Sequence, residues 1–461
     1  MYDRRFRLPA VPSRPVPIAE PEGLKMTKAR LDGLYLLLLG ALVFILLGVV
    51  MENAASSPLA DFRGLYYPTQ CLLQHCDPYS QTDVMRIYHA SGVDHPSDTD
   101  KIRQIATQSV YLPTVFSATL PFAILPWSVA HILWIVLTLA SLILASLLAW
   151  SLAADYTPVL SGALIGFLLA NSEVLLITGN AAGIVISLCV IAVWCFVRNR
   201  FVFAGILCLA ISLAVKPHDT GLVWLYFLLA RGVYLKRALQ TLLATIVISL
   251  PGLVWAWRLS PHWMQEFNSN LLAFSVRGGT NDPGLASGGA HGLGTVVSLQ
   301  AIFSVFRDDP HFYNPASYLV FGLLLIVWIF VTLRRRSTPA NLWLALASIA
   351  ALSMLPVYHR QYDTKLLLLA VPACAMLFVE HRLTGWLALL VTTAGFVLNA
   401  DIPWVIFFAL TKSLHLSNSG LSGQILIAVQ VFSAPLILLV MGIFYLWVYA
   451  RRSSSAHAAP L

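Results

Sequence analysis

The sequence predicts an all-α polytopic membrane protein, a bundle of about 12 transmembrane helices with two large outer-face loops. Three observations carry that reading. Of 461 residues, 58% are hydrophobic and 11% charged, against roughly 45–50% and about 25% in soluble domains. Apolar runs of membrane-crossing length recur along the whole chain. Basic residues gather in alternate connections between those runs. The composition excludes an ordinary soluble enzyme, and equally a disordered, collagen-like or disulfide-scaffold protein.

A spanning helix takes about 20 mostly apolar residues. Candidates lie at about 33–51, 127–150, 157–177, 181–197, 201–215, 219–235, 238–257, 315–333, 339–357, 364–379, 383–399 and 424–450. They must be helical, because lipid offers no partner to open backbone groups. Segment 111–126, YLPTVFSATLPFAILP, is apolar but broken by Pro113, Pro121 and Pro126. It reads as a re-entrant or interfacial piece packed on protein. The first run is longer than a signal-peptide core and no A-x-A site follows, so it reads as a retained span.

Orientation follows from the basic residues. Arg198, Arg200, Arg231, Lys236, Arg237, Arg334, Arg335, Arg336, Arg382, Arg451 and Arg452 share one side with the N-terminus, and most acids lie on the other. This places both termini in the cytoplasm and the chain in the cytoplasmic (inner) membrane. The net charge of +8 is then a matter of topology, and no nucleic acid is expected as a partner. The division is a disordered cytoplasmic tail at 1–32 (Pro-rich over 8–22), a transmembrane domain at 33–450 and a cytoplasmic tail at 451–461.

The long connections, about 52–126 and 258–314, fall on the outer side. Long connections of this kind are usually functional. The chain has no G-x-x-x-x-G-K-[ST] and no G-x-G-x-x-G motif. Nucleotides are cytoplasmic, so outer-face chemistry here needs a donor that arrives through the membrane, such as a lipid-linked one. No cofactor is expected.

The first long connection opens with DFRGLYYPTQCLLQHCDPYS. Asp61 near a membrane surface suits a general base for a sugar hydroxyl. Tyr66 and Tyr67 offer sugar rings an apolar face, and Arg63 suits a phosphate. The competing reading makes Asp61 a helix N-cap and Arg63 a solvated charge. Cys71 and Cys76 lie where a disulfide is permitted. Five residues apart they are poorly aligned on a helix, so a bridge needs a helix end or turn; the alternative is two unpaired thiols. Cys189, Cys195, Cys208 and Cys374 sit in spans and read as packing. Further on, HPSDTDKIRQIA reads as a short amphipathic helix capped by Ser97, with Asp94, Asp98 and Asp100 solvated.

Ionisable residues at membrane depth are functional candidates by default. AVKPHDTG places Lys216, His218 and Asp219 at a helix break made by Pro217, and VYHRQYDTK places His359, Arg360, Asp363 and Lys365 between two spans. Asn180 falls in the turn ITGNAAG. Together Lys216, His218, His359, Arg360 and Lys365 suggest a cationic collar for a lipid phosphate. The competing readings are a snorkelling Lys216 and a structural Arg360–Asp363 pair. In the second long connection Asn268, Asn270, Ser275, Arg277, Asn281 and His291 are candidates for acceptor contacts, in a Gly-rich segment that reads equally as a flexible linker.

These motifs, in this order, resemble glycosyltransferase family 87 of the GT-C superfamily. The likeness rests on DFRGLYYPTQCLLQHCDPY after the first span, YLPTVFSATLPFAILP before the second, Gly179–Asn180, the KPH at Lys216–His218 and YHRQYD, over most of residues 33–400. The family's known members are bacterial mannosyltransferases that use polyprenol-phosphate mannose. The resemblance implies a GT-C membrane fold, inverting transfer and Asp61 as the base. It also implies, as partners, a polyprenyl-phosphate sugar donor and a lipid or glycan acceptor. Tyr358 and Arg360 stand where Trp or Ser was expected beside the late histidine, which bears on acceptor and sugar identity. Many GT-C enzymes carry an adjacent acid pair in the first loop; here Phe62 follows Asp61, and no cysteine spacing suggests zinc, so no metal is expected. The alternatives from other classes are a polytopic transporter or lipid flippase, and a non-catalytic membrane scaffold. Against a transporter, charges inside the spans are scarce, Glu173 being the clearest, and no internal repeat is visible.

Overall fold

The computed structural model describes residues 27–92, 98–284, 296–380, 382–413 and 420–452. Among these residues every regular element is helical, and Val296 and Arg360 form an isolated antiparallel bridge. Ser97, Asp94, His291, most of the expected N-terminal tail and residues 453–461 lie outside the described residues. The first helix begins at Lys28, with the Thr27 side chain as its N-cap, so residues 28–32 are helix rather than tail.

The expected spans overlap helices, but 219–235 and 339–357 run past helix ends at Leu229 and Leu352, and the helices are not equivalent. Among the described residues, seven helices are long and apolar enough to cross a bilayer: Lys28–Ala54, Trp127–Ala153, Pro158–Thr178, Val233–Leu259, Pro310–Arg334, Gln361–Val379 and Phe432–Arg451. Leu383–Leu398 with Asp401–Thr411, bent by 67°, make an eighth if counted as one broken span. Ala182–Val197, Val202–Val215, Pro217–Leu229 and Pro339–Leu352 have only 13 to 16 residues. At about 1.5 Å per residue they reach roughly 20–24 Å, short of the ~30 Å hydrocarbon layer. Sequence hydropathy does not separate a short apolar core helix from a span. Pro339–Leu352 shows why: every residue from Asn341 to Leu352 is buried in protein, and a helix apolar all round belongs in a core.

Small residues set the tightest contact. Lys28–Ala54 lies against Pro158–Ala170 with backbone touching backbone. A Cβ at Gly40 would stand 2.1 Å from the Gly166 carbonyl oxygen, and one at Gly162 would stand 2.0 Å from that of Gly33. Close approach through small residues is how helices associate in lipid, where burial of apolar surface gives no advantage. At the centre runs Gln361–Val379, a 3₁₀ segment (Gln361–Ala370) continued as α-helix (Val371–Val379) and almost wholly buried. Trp127–Ala153, Ala182–Val197 and Pro339–Leu352 surround it.

The first long connection is not loose. It folds into Ala60–Leu73, Gln81–Ala90, Asp100–Thr107 and Thr114–Ala123 around a second apolar core. Phe62 stacks on Trp134 at 4.2 Å and Tyr67 on Trp127 at 5.8 Å. The proline-rich segment is a short helix, Thr114–Ala123, packed on Ala60–Leu73 and Val233–Leu259. Cys71, in the last turn of Ala60–Leu73, is joined by a disulfide to Cys76 beyond its end, where His75 takes a left-handed φ of 58°. The helix end supplies the turn that the five-residue spacing needs.

Two expectations fail here. Asp98 is not solvated: it is buried, pairs with Arg63 at 3.1 Å and accepts from Ser57 and Tyr88. Arg63, Tyr66 and Tyr67 do not face a substrate space. Helical geometry is the cause: at about 100° per residue they point roughly 140–240° away from Asp61. Arg63 goes to Asp98 and lies over Trp127, Tyr66 donates to the Leu125 carbonyl at 2.7 Å, and Tyr67 meets Ser91.

Substituting Gly166 by Leu should force the two helices apart and cost about 1–3 kcal/mol or more. Gly221→Ala, where an added Cβ meets nothing within 4 Å, should be tolerated. Thermal unfolding of the two variants in detergent checks this; equal melting temperatures would contradict the close-packed interface.

Candidate active site

Four chain segments meet at one end of the central helix, and local chemistry explains each. Ala60–Leu73 starts after Leu59, whose left-handed φ of 54° turns the chain and whose N–H donates to the Ile177 carbonyl at 2.8 Å. Asp61 then falls in the first helical turn, where a carboxylate is favoured by the helix dipole. It is not the N-cap, so that alternative is closed. Beneath it lies Gly179, at φ +66°. A Cβ there would come within 2.9 Å of Leu59 and Phe62, so both the backbone angle and the space call for glycine. Its carbonyl accepts from Trp134 Nε1 at 2.9 Å.

Asn180 follows directly. Its Nδ2 donates to Asp61 Oδ2 at 2.7 Å and to Tyr362 Oη at 2.9 Å, while its Oδ1 accepts from the Ala182 N–H. This one amide ties the first connection, 119 residues before it, to the late turn, 182 residues after it. The third segment is the break at Lys216. A residue before proline is driven out of the helical region, and Lys216 has φ −139° and ψ 79°, with Pro217 opening the next helix. Its ammonium reaches Asp363 Oδ1 at 2.8 Å and Asp219 Oδ2 at 2.9 Å.

The fourth segment is Tyr358–Asp363. The Arg360 N–H donates to Asp363 Oδ2 at 2.8 Å. The Arg360 guanidinium donates to Tyr358 Oη and, at 2.8 Å, to the Thr280 carbonyl. His359 is fully buried; its Nδ1 lies 3.0 Å from the Val357 carbonyl and its Nε2 3.4 Å from Asp219 Oδ1.

Two adjoining cavities share Tyr111, Asn180, Asn281, Tyr358 and Tyr362 in their walls. One, of about 250 Å³, contains Asp61, Lys101 and Arg360. The other, of about 400 Å³, is lined by Lys216, His218 and Asp363 and by the apolar Leu112, Val215, Phe267, Leu271 and Val357. Packing around Asp61 raises its pKa above the ordinary carboxylate value; the Asn180 hydrogen bond and the charges of Arg360 and Lys216 oppose this without cancelling it.

Of the expected collar, Arg360, Lys216 and His218 line these cavities, but the Lys216 charge is already met by two carboxylates. Lys365 is elsewhere: its ammonium donates to the Asn171 carbonyl inside the bundle, with Glu173 and Asp401 as its nearby acids. Asp363 and Lys365 share the helical segment Gln361–Ala370, where residues two apart do not face each other, so Lys365 turns away from the cavity that Asp363 lines. Of the proposed acceptor contacts, Asn281 and Ser275 reach the cavities. Asn270 is buried and donates to the Tyr79 and Ser109 carbonyls. Arg277 pairs with Asp308, and Asn268 is exposed.

Lys101, Tyr111 and Tyr362 are cavity residues that the sequence reading did not select. Lys101 sits on Asp100–Thr107 among other charges, and no periodicity marks it as facing inward. The tyrosines look like interfacial aromatics in a linear reading.

The model of glycosyltransferase family 87 matches residues 110–357. Asn180, Lys216 and His218 lie inside that range, and Asp61, His359 and Arg360 outside it. No curated protein and no solved structure matches the chain significantly. The family match spans more than half of the 461 residues, and the chain therefore belongs to glycosyltransferase family 87 and is a membrane glycosyltransferase.

Proposed function

We propose that the protein transfers a hexose, mannose by family likeness, from a polyprenyl-phosphate donor to a hydroxyl of a lipid or glycan acceptor. On this reading the site faces the outer side of the cytoplasmic membrane and both termini face the cytoplasm. The observation that carries the proposal is Asp61 at a cavity wall, held by Asn180 and facing the cationic Arg360 and Lys101.

The chemistry follows from that placement. Asp61 takes the proton of the acceptor hydroxyl as its oxygen attacks the anomeric carbon. The new bond forms on the face opposite the phosphate, so the configuration inverts. The carbon–oxygen bond to phosphate breaks with its electron pair on the phosphate, which needs no general acid because it is already a weak base. Arg360 and Lys101 stabilise the charge that collects there, and His218 lies at the adjoining wall. Such preorganised charge is often the largest contribution to catalysis. The apolar walls of the neighbouring cavity suit the first isoprene units of the carrier. Lys216 acts through Asn180 and Asp363 as a positioning residue, and His359 through Asp219.

Asp61→Asn should lower transfer by about 10²–10⁴-fold, the range for loss of a general base, while the protein still expresses and binds donor. Incubation with synthetic polyprenyl-phosphate hexoses and a lipid extract, read by mass spectrometry, measures it; undiminished activity would remove Asp61 from the mechanism. The active form is the carboxylate, so the rate should rise with pH through the Asp61 pKa, and that limb should lie above the ordinary carboxylate range. Because the Asn180 hydrogen bond lowers the Asp61 pKa, Asn180→Leu should move the limb to still higher pH as well as slow transfer. A pH–rate profile with an unmoved limb would refute the coupling.

A further inference from the structure

His218, Asp219 and His359 present three ligand atoms that all lie within 4.8 Å of one another. Asp219 Oδ1 is 3.3 Å from His218 Nε2 and 3.4 Å from His359 Nε2. Four ligands at about 2.0–2.1 Å around a tetrahedral zinc stand roughly 3.3–3.4 Å apart. Two edges of that polyhedron are therefore already present.

The surroundings fit the same reading. His359 Nδ1 lies 3.0 Å from the Val357 carbonyl. Donation there leaves Nε2 unprotonated and aimed at Asp219, the arrangement that orients a ligating histidine. Asp219 Oδ2 is engaged by the Lys216 ammonium, which leaves Oδ1 turned to the two imidazoles. His359 Nε2 and Asp219 Oδ1 are buried and make no hydrogen bond of good geometry. Counting charges, Asp219 and Asp363 bring two negative and Lys216 one positive, so the buried cluster is short of one positive charge. Access exists too: the His218 side chain is 44% exposed and lines the larger cavity.

We propose that His218 Nε2, Asp219 Oδ1 and His359 Nε2 form a binding site for one divalent transition-metal ion, zinc or a close relative, with an exchangeable position toward the larger cavity. Two imidazoles and a carboxylate are borderline ligands that favour such ions over calcium or magnesium. This departs from the expectation of no metal, which rested on Phe62 following Asp61 in the first long connection; the triad is assembled instead from the KPHD break and the late turn. The occupancy of the site stands apart from the proposed transfer. Only its use there, as a hold on the departing phosphate, rests on that reading.

The test uses full-length, untagged protein in detergent, stripped with a chelator and titrated with Zn²⁺, then with Co²⁺. We expect about one Zn²⁺ per chain, and a Co²⁺ adduct with tetrahedral d–d bands. Loss of a partner beyond the ligands already costs 10–100-fold in affinity, so loss of a ligand should cost at least ~100-fold. His218→Ala is decisive, because this partly exposed side chain can be removed without disturbing the core; His359→Ala should behave alike. Substoichiometric zinc in the unaltered protein, or unchanged affinity in His218→Ala, would overturn the site, since a protonated His359 then supplies the missing charge. Asp61→Asn should keep its metal, so failure of the metal site and failure of the transfer reading are separable.

Discussion

One buried ammonium organises this end of the bundle. Lys216 sits buried between Asp219 and Asp363, where an unpaired carboxylate would be very costly. One partner is three residues away and the other 147 residues along the chain. Asp219 belongs to the helix that Pro217 starts, and Asp363 to the first turn of the central 3₁₀ segment. Asn180, 3.5 Å from the same ammonium, carries the connection on to Asp61. The general-base candidate is thus fixed by a chain of polar contacts whose members each have few alternatives.

The same constraint shapes what the site can bind. A ring of free cations would attract phosphate but would repel itself when emptied. Here the deeper cation is neutralised by acids, and the cationic side chains at the Asp61 cavity are Arg360 and Lys101. Arg360 is held by Tyr358 and by the Thr280 carbonyl, so its guanidinium has a set orientation before any ligand arrives. Preorganisation of this kind lowers the reorganisation cost of charge transfer. The Val296–Arg360 bridge and the Val297 N–H to His359 carbonyl bond at 2.7 Å brace the turn from the side of the second long connection.

The first long connection solves a different problem. One helix, Ala60–Leu73, must anchor in an aromatic core and also present a carboxylate to a cavity. It does so by helical phase: Phe62, Tyr66 and Tyr67 enter the core while Asp61 stays on the opposite side. Gly179 makes the contact possible, because its missing side chain lets Leu59 and Phe62 settle over the Asn180 turn.

The sequence alone determined the membrane class, the helical content, the positions of the apolar segments and the stretches where chemistry gathers. Those properties are local, written in hydropathy, proline breaks and charge, and they survive without knowledge of neighbours. Asp61, Asn180, Lys216 and Arg360 were legible for that reason, as ionisable or amide groups at helix breaks. The tertiary structure alone decided which of them meet. It turned Arg63 toward Asp98, took Lys365 into the bundle, brought Lys101 to the cavity and set the short apolar helix Pro339–Leu352 inside protein. The physical reason is that a charge's role depends on the partner that compensates it, and here those partners lie up to 194 residues away along the chain.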